Sequence, residues 1–171
     1  MGRRRAMHLA LGLLALTACI VNLTFDMKKS LPLQTQPGAT AVSQNVLLDL
    51  SQYSEITDHK AQIRSLDLDY AEVTVGKINA ANAATTISGT LKLRRTLSGS
   101  PDVTVGTVDL AIVNGTTKRL NGTPELDAFL LQQLHEQGTF YAVLDGTADG
   151  AADFILDVDL HASIAYDAGL F

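Results

Sequence analysis

From Phe154 to Tyr166 the chain alternates without a break: Phe154, Leu156, Val158, Leu160, Ala162, Ile164 and Tyr166 are separated by polar or small residues. A period of two places one set of side chains on one face of an extended strand and the other set on the opposite face. Thirteen positions at strand rise span roughly 43 Å. A helix would scatter these apolar groups around its axis. The chain must therefore supply strands to pair with this one and a second layer to cover its apolar face.

Other segments meet that demand. Val21, Leu23, Phe25 and Met27 alternate with Asn22, Thr24, Asp26 and Lys28, which predicts a half-buried strand. Leu66, Leu68 and Tyr70 give way to Val73 and Val75, a phase change that predicts a β-bulge near Ala71-Glu72. Thr85 to Arg95 reads as a strand with Ile87, Leu91 and Leu93 inward, and Val103 to Val113 switches phase at Gly106, as a bulged strand does. Asn114-Gly115 and Asn121-Gly122 are turn pairs of the kind that close hairpins. Thr139 to Gly146 returns to strand.

Two helices are predicted. Thr123-Pro124 has an N-cap followed by proline at the first helical position; Leu126, Phe129, Leu130 and Leu134 form an apolar stripe, and Gly138 stops the helix, giving 124–137. Ser51 or Ser54 starts a shorter one over about 55–64, with Tyr53, Ile56, Lys60 and Ile63 near one face. Residues 30–45, with Pro32, Pro37 and Gly38 and no period, read as an irregular loop. Several strands, no repeats and two modest helices predict a mainly β protein: an antiparallel β-sandwich with the helices plugging its ends or one open face.

The beginning of the chain carries an address. Arg3, Arg4 and Arg5 precede an apolar run from Ala6 to Leu16 that closes on Leu16-Thr17-Ala18-Cys19, the three-part build of an export signal. The run is too short to span a bilayer, which takes roughly 20 apolar residues. Its ending resembles the lipobox of bacterial lipoprotein precursors, with a large apolar residue three positions before a cysteine and small residues between. The resemblance implies that the thiol of Cys19 receives a diacylglyceryl group, that a signal helix within residues 1–18 is cleaved away, and that the new amino group is fatty-acylated as well. Cys19 is the only cysteine in the chain. Two or three acyl chains, at about 0.8 kcal/mol per buried methylene, hold a soluble domain firmly to a membrane. Many lipoproteins have a polar Gly/Ser-rich tether after the cysteine; here a strand pattern begins at once. Ile20 rather than Asp follows Cys19, which by the same resemblance favours the outer membrane in a Gram-negative cell. Asp58 to Tyr70 is also loosely similar to a helix-to-strand junction in uncharacterised surface lipoproteins of β-sandwich type, and implies no functional residue.

Removing 1–18 leaves 153 residues, the size of a single domain. The signal arginines leave with it, so 10 Lys+Arg face 18 Asp+Glu and the net charge is −8. Such a chain lacks the basic stripe that nucleic acid requires, and its stability must come from packing, since one cysteine forms no intrachain disulfide. Trp is absent, and Tyr53, Tyr70, Tyr141 and Tyr166 read as interior or half-buried residues.

Candidate chemistry is sparse. His59, His135 and His161 have no zinc-site spacing; no G-x-S-x-G elbow or phosphate-cradling glycine loop occurs, and no cofactor is implied. Asp145, Asp149 and Asp153 recur every four residues in a Gly/Ala-rich segment and form a calcium candidate, although turns carry Asp for backbone reasons too. Asp67/Asp69 and Asp157/Asp159 read as a solvated sheet face. The expected function is that of a non-enzymatic, membrane-anchored envelope lipoprotein, a binding or structural module with an envelope protein as partner. The alternative is a carrier of lipid or another apolar ligand, with Phe129, Phe140 and Phe154 as lining.

Overall fold

The computed structural model describes residues 19–98 and 102–169; the expected signal helix falls within 1–18, outside the described residues. Among the described residues eight strands follow one another: β1 (Ile20–Gln34), β2 (Ala41–Asp49), β3 (Ile63–Ile78), β4 (Thr86–Arg94), β5 (Asp102–Ala111), β6 (Thr117–Asn121), β7 (Thr139–Ala148) and β8 (Asp153–Asp167). They form two four-stranded sheets, ordered β1-β8-β3-β6 and β2-β7-β4-β5, antiparallel throughout. The chain changes sheet at every connection except β4 to β5. This is a β-sandwich with the eight-stranded jelly-roll strand order.

The alternating strand β8 lies inside the first sheet, between β1 and β3. Its inward residues Phe154, Leu156, Val158, Leu160, Ala162 and Ile164 are buried, opposite Ile87, Leu91, Leu93, Phe140, Ala142 and Leu144 of the second sheet in one continuous core. The predicted bulge at Gly106 is present: β5 slips against β4 between Leu91 and Lys92, leaving Val105 without a partner. The bulge in β3 is also present, but two residues earlier than predicted, between Leu68 and Tyr70. There β6 no longer covers the strand, because it pairs only with Tyr70 to Thr74. The helix Pro124–His135 and the turn before it take over that edge. The Leu68 N–H donates to Asp127 Oδ1 at 2.8 Å and the Gly122 N–H donates to the Asp69 carbonyl at 3.2 Å. Burial outweighs the Leu68 bond and raises the Asp127 carboxyl above its ordinary value.

Numbered in chain order, the helices are α1 (Ser54–Thr57) and α2 (Pro124–His135), with a single 3₁₀ turn at Leu50–Gln52 before α1. α2 agrees with its prediction: the Thr123 side chain caps it, its buried face is Leu126, Phe129, Leu130 and Leu134, and Gly138 follows with φ +71°. The expected helix over 55–64 is a correction. Only four residues are helical, Asp58–Gln62 is a turn, and Ile63 already belongs to β3. One helical turn has no stability of its own; it is held because Leu50 and Ile56 are buried under the end of the sandwich.

The expected loop over 30–45 is a second correction. β1 continues to Gln34 and β2 starts at Ala41, so only 35–40 connects them. Leu31 and Leu33 keep the inward parity of Phe25 and Met27, and Pro32 is admissible because β1 is an edge strand. The two Asn-Gly pairs close no hairpin. Asn114-Gly115 carries the chain from one sheet to the other, and Asn121-Gly122 leads from β6 into α2.

Candidate functional site

Strand direction gives the sandwich two different ends. At one end lie Cys19, the connection 50–62, residues 95–98 after β4, the C-terminal half of α2 and the end of β8; at the other lie the connections 35–40, 79–85, 112–116 and 149–152. Cys19 is exposed and immediately precedes β1. Its carbonyl accepts the Ala168 N–H at 3.0 Å, and Ile20 pairs with Asp167. Asp167 is itself fixed, because its N–H donates to the Gln62 carbonyl at 3.1 Å and its carboxylate pairs with the Arg64 guanidinium. One residue further in, the Tyr166 ring stacks on His59 with centroids 3.8 Å apart. The cysteine expected to carry lipid is thus joined to the sheet with no intervening tether.

A second assembly, whose members the sequence reading did not bring together, lies on the outer face of the first sheet. The register aligns Asp26 of β1 with His161 of β8, and His161 with Tyr70 of β3. His161 donates through Nδ1 to Asp26 at 2.5 Å, and that bond is the main reason the Asp26 carboxyl is held below its ordinary value. The imidazole stacks on Tyr70 at 4.8 Å, and the Arg119 guanidinium lies 3.3 Å from the Tyr70 ring centroid, a cation–π arrangement. Asp69 faces His161 Nε2 at 3.8 Å and accepts from Ser163. Beside this cluster Lys28 bridges Asp26 and Asp159 at 3.6 and 3.2 Å, and Asp159 is the chief cause of the raised Lys28 pKa. An open depression of about 500 Å³ follows, bordered by Lys29, Ser30, Glu72, Thr74 and Asp157. The Ser163 hydroxyl donates to Asp69 rather than to the imidazole, so Asp26, His161 and Ser163 do not form a nucleophile–base relay. Parity in the sequence marked Asp26 and His161 as outward but put Tyr70 in phase with the inward Leu66 and Leu68; the bulge between Leu68 and Tyr70 turns the ring outward, and only strand order aligns it with His161 and Arg119.

The calcium candidate is not assembled. Asp145 accepts from Ser43 at 2.7 Å and pairs with Lys92 at 3.4 Å. Asp149 accepts the Thr85 hydroxyl and the N–H groups of Thr85 and Thr86, which hold its carboxyl far below the ordinary range. Asp153 accepts from Asn79 at 2.7 Å. Each carboxylate thus serves its own loop or strand, and among the described residues no group of three His, Cys, Asp or Glu side chains is placed to hold a metal ion. Phe129, Phe140 and Phe154 do not line a common wall either. Phe129 and Phe140 pack edge to face at 5.9 Å near the Cys19 end, Phe154 sits at the opposite end of β8, and all three are buried in the core. No described helix is long and apolar enough to cross a membrane.

No protein-family model matches the chain, and no curated protein matches it. Among solved structures it is similar to the decameric BFDV capsid protein, at 9% identity over 85% of this chain and 99% of that one, with a TM-score of 0.46. It is also similar to the Desmodium yellow mottle tymovirus structure, at 8% identity over 99% and 98% of the two chains (TM-score 0.37), and to turnip yellow mosaic virus, at 12% identity over 88% and 98% (TM-score 0.34).

Proposed function

We propose that this chain is a bacterial lipoprotein precursor whose mature part, from Cys19 onward, is an acyl-anchored jelly-roll module of the cell envelope, without enzymatic activity, that binds a neighbouring envelope protein. The observation that carries the reading is the single cysteine of the chain standing just after the arginine-led apolar run Ala6 to Leu16 and immediately before the first strand. Its exposure leaves the thiol open to modification. An acylated cysteine needs no spanning helix, because fatty chains alone supply the membrane affinity. The partner role draws support from the outer face of the first sheet, where aromatic and charged groups stand on rigid strands rather than on loops. Ile20 after the cysteine favours the outer membrane.

The test is Cys19→Ser, which removes the thioether acceptor and leaves the fold untouched. The reading predicts that the wild type sediments with membranes as a processed form, whereas the variant keeps residues 1–18 and takes up no labelled fatty acid. Identical processing and labelling of the two proteins would refute it. For the partner role, photocrosslinkers placed at Glu72 or Thr74 in intact cells should trap a discrete protein neighbour; recovery of uncrosslinked protein alone counts against a binding module.

A further inference from the structure

We infer that the Cys19 end of the sandwich is a bilayer-contact surface, and that the acyl chains hold the domain end-on, with Ile20 and Leu97 against the lipid headgroups. The inference rests on the anchored-lipoprotein reading and adds an orientation to it. A tether of eight flexible residues would reach about 16 Å and let the domain present any side to the membrane. Here the Cys19 carbonyl is bonded to the Ala168 N–H and Ile20 is already paired in the sheet, so the cysteine side chain alone separates the acyl chains from a rigid strand.

Surface chemistry selects the same end. The large apolar residues exposed among the described ones are Ile20 (62%), Leu47 (45%), Leu97 (49%) and Val113 (60%). Ile20 adjoins the anchor, Leu97 lies in the connection after β4 at that end, and Leu47 is two residues from the end of β2. Sheets about 10 Å apart and strands about 4.8 Å apart put the Leu97 connection roughly 15 Å from β1 across the end, within reach of the same headgroup layer. Val113 stands alone at the far end, as single surface apolar residues commonly do. Charge disfavours the main rival pose. The outer face of the first sheet carries Asp26, Asp67, Asp69, Glu72, Asp157 and Asp159 against Lys28, Lys29 and Arg119, and an anionic leaflet repels such a face. The described connections at the Cys19 end are nearly balanced, with Glu55, Asp58 and Glu136 against Lys60 and Arg95.

The experiment uses the full-length protein purified with its lipid. Because Cys19 is the only native cysteine and acylation consumes its thiol, Leu97→Cys and Val113→Cys each give one reactive thiol for an environment-sensitive fluorophore. The labelled proteins are placed in phosphatidylethanolamine–phosphatidylglycerol vesicles containing lipid with a headgroup nitroxide, and intact mass is measured on the same samples. End-on contact predicts quenching at position 97 at least threefold stronger than at 113. Equal quenching, or stronger quenching at 113, in protein of the acylated mass overturns the orientation and leaves the anchor standing. A mass without acyl chains overturns both.

Discussion

The two ends of the sandwich are closed in different ways. The Cys19 end is plugged by large side chains on helical segments: Leu50 before α1, Ile56 within it, and Leu130 and Leu134 on α2, all nearly inaccessible to solvent. The far end has short connections and small residues, with Ala84, Ala148 and Ala152 buried where the chain passes between sheets. Two glycines face each other near it. Gly89 of β4 is paired with Gly146 of β7, and a Cβ on Gly146 would lie 2.2 Å from the Ser88 carbonyl oxygen. A jelly roll can thus be capped by apolar volume at one end and by close backbone approach at the other, and the two devices fail in different ways.

The largest effect is expected at the plugged end. Phe140→Ala removes a fully buried ring that packs edge to face on Phe129 and should cost about 3–5 kcal/mol in urea unfolding of residues 20–171. At the far end Gly146→Ala forces β4 and β7 apart and should cost about 1–3 kcal/mol; an unchanged midpoint would show that the glycine pair is incidental. A smaller effect of opposite sign is expected in α2. Gln133 is 1% exposed, and its Oε1 has no hydrogen-bond partner, so Gln133→Leu should raise the thermal midpoint, by about 1 kcal/mol in stability.

The subtlest prediction concerns pH at the far end. The Thr85 hydroxyl and the N–H groups of Thr86 and Thr85 depress the folded pKa of Asp149 below its unfolded value near 3.8. A depressed carboxyl stabilises the fold fully above the unfolded pKa, and that contribution is lost as pH falls toward the folded one. Between pH 4 and pH 2 the wild type should therefore lose more stability than Asp149→Ala, as followed by thermal unfolding. Parallel pH profiles would mean that the Thr85 and Thr86 bonds contribute nothing to folding.

The same division explains what could be read from residues alone. β8, α2 and the Gly106 bulge were legible because each rests on a local rule: strict alternation, a Thr-Pro start with a glycine stop, and a phase switch at a residue without a side chain. Residues 30–34 were misread because Lys28-Lys29-Ser30 and Pro32 interrupt the hydropathy, while Leu31 and Leu33 quietly keep the inward parity. The helix over 55–64 was overextended because Ile63 satisfies both a helical stripe and the start of β3. The Asp26–His161–Tyr70–Arg119 cluster joins four strands from distant parts of the chain, and only strand order reveals it. The place of Cys19 at the head of β1, its carbonyl bonded to the Ala168 N–H, was not legible, because it depends on the pairing of β1 with β8.

The proposal that the chain is cut before Cys19 and acylated there is tested most directly by an intact-mass measurement on protein extracted from the membranes of its native cells. The predicted result is a chain beginning at Cys19 that carries a thioether-linked diacylglyceryl group. A chain with any other first residue, or a free Cys19 thiol on protein from the soluble fraction, would contradict it.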